Sequence, residues 1–253
     1  MYLKKKKITG ISFKQQANRS CTIYFSVVRI MKTLGFFNDL LSEYDIVLAS
    51  SSPRRYEIMH DIMGIQNLRI MTPDFQENLD KKKYTDNPVQ YACDTSLHKA
   101  ESIMQMFKSA PHSTGMLGKK IVVCADTILI DNENNIYEKP KDKAAQLTYL
   151  KKFCYDSKYI RVVTGVAIIN WVNSSDHKIF RFHDETKLYF DETIPLGFLK
   201  QYVESGAGLE AAGGFKIQDF SGSFIKEMKG DYYNVVGLPL NKVLKTIWQE
   251  LSI

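Results

Sequence analysis

Short apolar runs and stretches with apolar residues every third or fourth position alternate along most of the chain. Ile46-Val47-Leu48-Ala49 suits a buried strand. From Arg54 onward Ile58, Met59, Ile62 and Met63 fall on one helical face, with Ser50-Ser51-Ser52-Pro53 as a capped start and Gly64 as a stop. Leu68 to Met71 reads as a second strand and Pro88 to Phe107 as a long helix. Ile121 to Ile130 is the strongest strand pattern, closed by the polar turn 131–135. Lys141 to Phe153 reads as a helix. Tyr159 to Trp171 and Lys178 to Phe190 read as antiparallel strands around a polar turn at 173–176. Glu192 to Ser205 is predicted helical, 206–222 a glycine-rich segment, Phe224 to Met228 a strand and Pro239 to Leu251 a closing helix. This order predicts an α/β fold: a mixed twisted sheet with flanking helices, in which two lobes share a central cleft.

Composition adds little to that picture, but charge divides the chain. At 253 residues, 44% hydrophobic and 25% charged, the sequence is ordinary for a globular protein. No apolar run is long enough to span a bilayer, so no membrane is expected. The formal charge of +6 misleads, because residues 1 to 33 hold eight Lys and Arg and no acid. Setting those eight aside from 34 leaves 26 basic against 28 acidic residues, a net of −2 for the rest. A nucleic-acid footprint is therefore not expected. Residues 1–43 read as a basic extension and 44–253 as the working domain. The extension suits a solvated tail, or upstream sequence before a working start at Met31, better than a mitochondrial presequence. A cytoplasmic location is expected, with a mitochondrial one left open. The four cysteines, Cys21, Cys93, Cys124 and Cys154, lack metal or redox spacing and read as free thiols.

Four segments carry candidate chemistry. At Ser50 to Arg55, hydroxyls, a helix N-terminus and two adjacent arginines suit a di- or triphosphate, although an ordinary capped helix has the same sequence features. The glycines and the G-K-[ST] ending of a Walker loop are absent. Asp126-Thr127 interrupts an apolar strand, where a carboxylate is costly unless it meets a cation, a donor or a metal. Lys99 and Lys139 could neutralise phosphate, while Glu77 alone is an unremarkable loop acid. The small-residue stretch Ala211 to Gln218 allows close backbone approach and ends on an amide able to read a base edge. Asp231 to Pro239 reads as an ordered turn. The five histidines show no metal-pair spacing, and no G-x-S-x-G elbow occurs.

Taken in order, Leu48 to Arg55, Lys99-Ala100, Ala125-Asp126-Thr127, Glu138 to Asp142, Val163 to Val166, Ala212 to Gln218 and Asn234 to Leu240 resemble the Maf family of nucleotide pyrophosphatases, from about Tyr44 to Leu251. The resemblance implies an α/β molecule of the Maf/ITPase-like kind, often a homodimer. It implies hydrolysis of nucleoside triphosphates to monophosphate and pyrophosphate with a divalent cation, Mg²⁺ or Mn²⁺. It makes Asp126 the general base, and Glu77 and Asp126 the metal residues. Arg54, Thr127 and Gln218 match positions tied to substrate choice, and Ser50, Ser52, Arg55, Lys99 and Lys139 match residues around the phosphates. Lys216 stands where the family usually has tyrosine, beside Gln218. Ala-Asp-Thr resembles the branch acting on dTTP and UTP, whereas the branch acting on 7-methyl-GTP carries Ser-Asp-Gln. The expected activity is thus a nucleoside-triphosphate diphosphatase acting on pyrimidine nucleotides. The alternative is a nucleotide-binding regulator of division or septum formation with little turnover.

Overall fold

β1 (Asp45–Leu48) ends where its chain turns away at Ala49, but its neighbour in the sheet runs on, and this mismatch creates the cleft. The structure is a computed structural model describing residues 42–109 and 118–251. Expectations for the basic extension up to residue 41, Cys21 included, lie outside the described residues. The other strands are β2 (Arg69–Ile70), β3 (Lys120–Ile130), β4 (Ile136–Tyr137), β5 (Ile160–Trp171), β6 (His177–Phe190) and β7 (Ile225–Lys229). They form one seven-stranded sheet in the order β2-β1-β3-β5-β6-β7, with β4 on β3. β2, β1 and β3 are parallel, and every other pairing is antiparallel. This is the mixed sheet expected from the sequence.

The register explains the open edge. β1 pairs with β3 only as far as Leu48 opposite Val123, and β4 takes up the same side of β3 only at Leu129 and Ile130. Residues 124–128 of β3 therefore have β5 on one side and the cleft on the other. Crevices beyond the carboxyl ends of parallel strands are favoured ligand sites in such sheets.

Helices flank both faces. α1 (Pro53–Glu57) continues as a π turn over Ile58–Ile62, with Met63 N–H bonded back to Ile58 O at 2.8 Å. α2 (Pro88–Ser109) lies across one face of β3 and β5. Its approach depends on Gly165, the residue of β5 opposite Asp126. A Cβ there would stand 2.4 Å from the Ala92 backbone carbon and oxygen and 2.6 Å from Cys93 N. Gly165→Ala must therefore push the helix backbone off the sheet. Overpacking of this kind costs about 1–3 kcal/mol. It should lower stability in a denaturant titration and also reduce activity, because the displaced helix carries Lys99.

α3 (Lys143–Lys151) and α4 (Leu196–Glu204) pack at the far end of the long strands, around Leu129, Phe153, Val162, Leu188 and Phe224. A second core joins Val47, Ala100, Ile103, Val122, Cys124 and Trp171 at the near end. Cys124 belongs to one core and Leu129 to the other, so Asp126 and Thr127 sit between the two on a single strand. α5 (Tyr232–Val236) and α6 (Leu240–Leu251) complete the described chain.

Several boundaries differ from the sequence expectation for physical reasons. The helix predicted from Glu192 begins only at Leu196, because Pro195 disfavours helical backbone in the residue before it and Asp191 instead caps a turn at Thr193. The helix predicted from Lys141 begins at Lys143, where the Asp142 carboxylate accepts from Ala145 N–H at 2.7 Å. Asp231 likewise caps a short helix where a turn was expected. The turn at 131–135 is as expected and is organised by one buried carboxylate. Asp131 accepts from Glu133 and Asn135 backbone N–H, the Asn135 amide and the Tyr137 hydroxyl. Burial would raise its pKa, but those hydrogen bonds outweigh it and hold it below the usual aspartate value. The turn fixes β4 and so delivers Glu138 and Lys139 to the cleft.

Candidate active site

All ten residues singled out in the sequence line one cavity of about 800 Å³: Ser50, Ser52, Arg54, Arg55, Glu77, Lys99, Asp126, Thr127, Lys139 and Gln218. They come from the β1–α1 turn, the loop after β2, α2, β3, the strand-end after β4, and the loop before β7.

At the cleft floor, Asp126 points to the α2 face. Its Oδ1 accepts from Lys99 Nζ at 2.9 Å, and both side chains are almost wholly buried. Lys99 also meets Glu77 Oε1 at 3.0 Å and the Ala125 carbonyl at 3.3 Å. The loop acid that seemed unremarkable in the sequence thus becomes the second carboxylate on a buried ammonium. A buried charge needs such partners, and Lys99 has three. No hydrogen bond reaches Asp126 Oδ2 among the described residues.

Arg55 occupies the opposite face of β3. Nε donates to Gly237 O at 2.8 Å, Nη1 to Ser50 Oγ at 3.2 Å and Nη2 to Thr127 Oγ1 at 2.9 Å. A guanidinium has five N–H donors, so two are left for a ligand. Burial lowers its pKa, and the Asp126 and Glu77 carboxylates oppose that shift. Ser50 Oγ accepts from Arg55 and from Ser52 N–H at 3.1 Å, which uses both lone pairs and leaves its proton to donate. Ser52 caps α1 by accepting from Arg55 N–H at 3.5 Å. The serines therefore occupy part of the N–H cradle expected at this helix start, and the anion-binding capacity rests more on Arg55 and the Ser50 hydroxyl.

The two adjacent arginines work apart. Burial lowers the pKa of Arg54, while Glu210 and Asp219 raise it, so Arg54 faces the acidic loop 210–219 rather than the floor. Lys216 in that loop pairs with Glu210 and lies 3.8 Å from Asp219. Its charge is balanced within the loop, as is much of Arg54's. The cleft thus has donors free for a ligand at Arg55 and Ser50, an exposed Lys139 in its lining, and a loop 210–219 where charges cancel and Gln218 stands exposed.

Several contributors had no separate role in the sequence reading. Gly237 supplies the carbonyl that holds Arg55, with a φ of 129° that favours glycine. Glu138 accepts from the Tyr91 hydroxyl at 2.9 Å and pairs with Lys81. Thr164 and Asn234 lie behind Thr127; both fall inside ordered blocks of the resemblance, but neither had a role assigned to it. Cys93, Cys124 and Cys154 are free thiols, and burial pushes Cys124 up to about 12, so it is inert despite lying two residues from Asp126. No helix among the described residues is long and apolar enough to cross a membrane.

The chain is 51% identical over 222 residues to the dTTP/UTP pyrophosphatase of Saccharomyces cerevisiae, covering 87% of this chain and 94% of that protein. It is 36% identical to the dTTP/UTP pyrophosphatase of Schizosaccharomyces pombe, covering 84% and 86% respectively. Among solved structures, a HAM1 protein from Coxiella burnetii aligns with a TM-score of 0.42 at 15% identity, covering 82% of this chain and 99% of that one. The family described as Maf-like protein matches residues 45–250, which include every cleft residue named above, and the chain belongs to that family.

Proposed function

We propose that this protein hydrolyses pyrimidine nucleoside triphosphates, dTTP and UTP foremost, to the monophosphate and pyrophosphate. The observation that carries the reading is the pairing across β3: a buried Asp126–Lys99 ion pair joined by the half-exposed Glu77 carboxylate on one face, and a buried arginine with two spare donors on the other. The first suits activation of water beside a phosphorus atom, and the second suits a polyphosphate. The names of the yeast relatives support the substrate class.

In this reading the polyphosphate lies against Arg55, Ser50 and Lys139, and the base lies toward Arg54 and Gln218. Lys99 leaves Asp126 Oδ2 open to orient a water and take its proton as the water attacks the α phosphorus. Pyrophosphate then departs along the cationic wall. A divalent cation fits the donor set. Asp126 and Glu77 are hard oxygen ligands, and Mg²⁺ commonly takes one or two carboxylates with substrate phosphates completing its shell. Among the described residues no group of three His, Cys, Asp or Glu could hold a metal without the substrate. When bound, such an ion supplies charge neutralisation on the phosphates.

The test is pyrophosphate release by the purified chain across a panel of triphosphates with Mg²⁺ or Mn²⁺. UTP and dTTP should be converted with the highest kcat/KM. Preferred turnover of purine triphosphates, or tight nucleotide binding without release, would overturn the reading.

A further inference from the structure

One end of the cleft holds two cations that take no part in holding the polyphosphate. Arg54 on α1 and Lys216 in the loop before β7 both line the cavity. A guanidinium fork and an ammonium are both natural phosphate partners. Left alone, the two would make a second anion site in the same cleft. Three carboxylates counter them. Lys216 Nζ pairs with Glu210 and lies 3.8 Å from Asp219 Oδ2. Burial lowers the pKa of Arg54, while Glu210, Asp219 and Glu57 raise it, so the same acids face the guanidinium. All three acids line the cavity as well. Two cations against three carboxylates leave this end with a net charge of −1.

These charges stand on a braced loop. Ser221, wholly inaccessible to solvent, accepts from Lys216 N–H at 3.1 Å and donates to Lys216 O at 2.8 Å. Gln146 on α3, equally inaccessible, donates through Nε2 to Ala207 O at 2.6 Å and to Gly214 O at 2.8 Å, which holds the chain on both sides of Glu210. Gly213 N–H donates to Glu138 O at 3.0 Å and so joins the loop to the strand-end that carries Lys139. At the other end of the cleft, Arg55 has two N–H donors left over and Ser50 a proton to give.

We infer that Glu210, assisted by Asp219, is a positioning residue that turns the triphosphate one way round in the cleft: its carboxylate offsets Lys216 and Arg54, so the polyphosphate goes to Arg55 and Ser50. A polyphosphate drawn instead to Arg54 and Lys216 lies with its α phosphorus away from Asp126 Oδ2, and no attack follows. Arg54 thereby stays at the base end, in keeping with its match to a position tied to substrate choice. The inference deepens the reading of the site as a triphosphate cleft and rests on it.

The test compares the full-length protein with E210Q, D219N and the double variant E210Q/D219N. Two things are read: binding of inorganic tripolyphosphate by calorimetry without divalent cation, and steady-state kinetics on UTP. Each carboxylate removed beside the two cations should tighten tripolyphosphate binding, about threefold in E210Q and about tenfold in the double variant. UTP held the wrong way round occupies the protein without reacting, which lowers kcat and KM by one common factor. Both should therefore fall together, about threefold in the double variant, with kcat/KM unchanged. A loop that had merely lost a strut would instead bind no tighter and lose kcat/KM. Tripolyphosphate binding that is no tighter, a kcat that does not fall, or a raised KM would each overturn the inference. Should the double variant not melt like the unaltered protein, E210Q and D219N give the same readings singly, since both side chains are about half exposed. If the unaltered protein releases no pyrophosphate from any triphosphate, the proposed function fails, while tripolyphosphate binding by the variants still decides whether these carboxylates keep phosphate from this end of the cleft.

Discussion

Asp126→Asn should abolish turnover while leaving the fold and nucleotide binding largely intact. The asparagine keeps the shape of the side chain and can still accept from Lys99, but it cannot take a proton from water. Removing a general base commonly costs 10²–10⁴-fold, and we expect about 10³-fold in kcat. The fold should survive because Lys99 keeps two other partners, the half-exposed Glu77 carboxylate at 3.0 Å and the Ala125 carbonyl at 3.3 Å. Losing both partners of a buried ion would be far costlier. Steady-state kinetics together with a thermal melt separate the two effects. A variant that melts like the unaltered protein yet retains more than a tenth of its kcat would remove Asp126 from the chemical step.

Arg55→Lys should be nearly as damaging despite conserving charge. Three N–H groups of Arg55 hold Gly237, Ser50 and Thr127 in directions only a planar fork can serve together. Lysine has three donors on one nitrogen, so meeting the wall would leave nothing for phosphate, and meeting phosphate would strand the Gly237 carbonyl. Charge-assisted hydrogen bonds contribute about 1.5–3 kcal/mol each, so the loss of one or two predicts a fall of roughly 10²-fold in kcat/KM. Most of it should appear in KM. A kcat/KM within threefold of the unaltered protein would mean that Arg55 is structural and does not meet the substrate.

The sequence made some features plain and hid others for identifiable reasons. β3, β5 and β6 were legible because they are buried or half-buried along most of their length and carry long apolar or alternating runs. The π turn after α1 was not, because Ile58, Met59, Ile62 and Met63 satisfy a helical period whichever carbonyl the N–H groups reach. β4, at two residues, and α5, at five, are too short to show any period. The cleft residues were legible as a set of motifs, and the structure gathers all ten in one cavity. Their division of labour was not. Arg54 and Arg55 are neighbours in sequence, yet one faces Glu210 and Asp219 while the other reaches through the wall to Thr127. Glu77 looked like a loop acid because its partner, Lys99, lies on a separate helix beyond the next loop.

The central claim is that a water held by Asp126 attacks the α phosphorus of a triphosphate whose outer phosphates rest on Arg55. Hydrolysis of UTP in ¹⁸O-labelled water, followed by mass analysis of the products, tests it most directly. The account predicts UMP carrying the label and unlabelled pyrophosphate. Label in pyrophosphate, or UDP and inorganic phosphate as products, would contradict it.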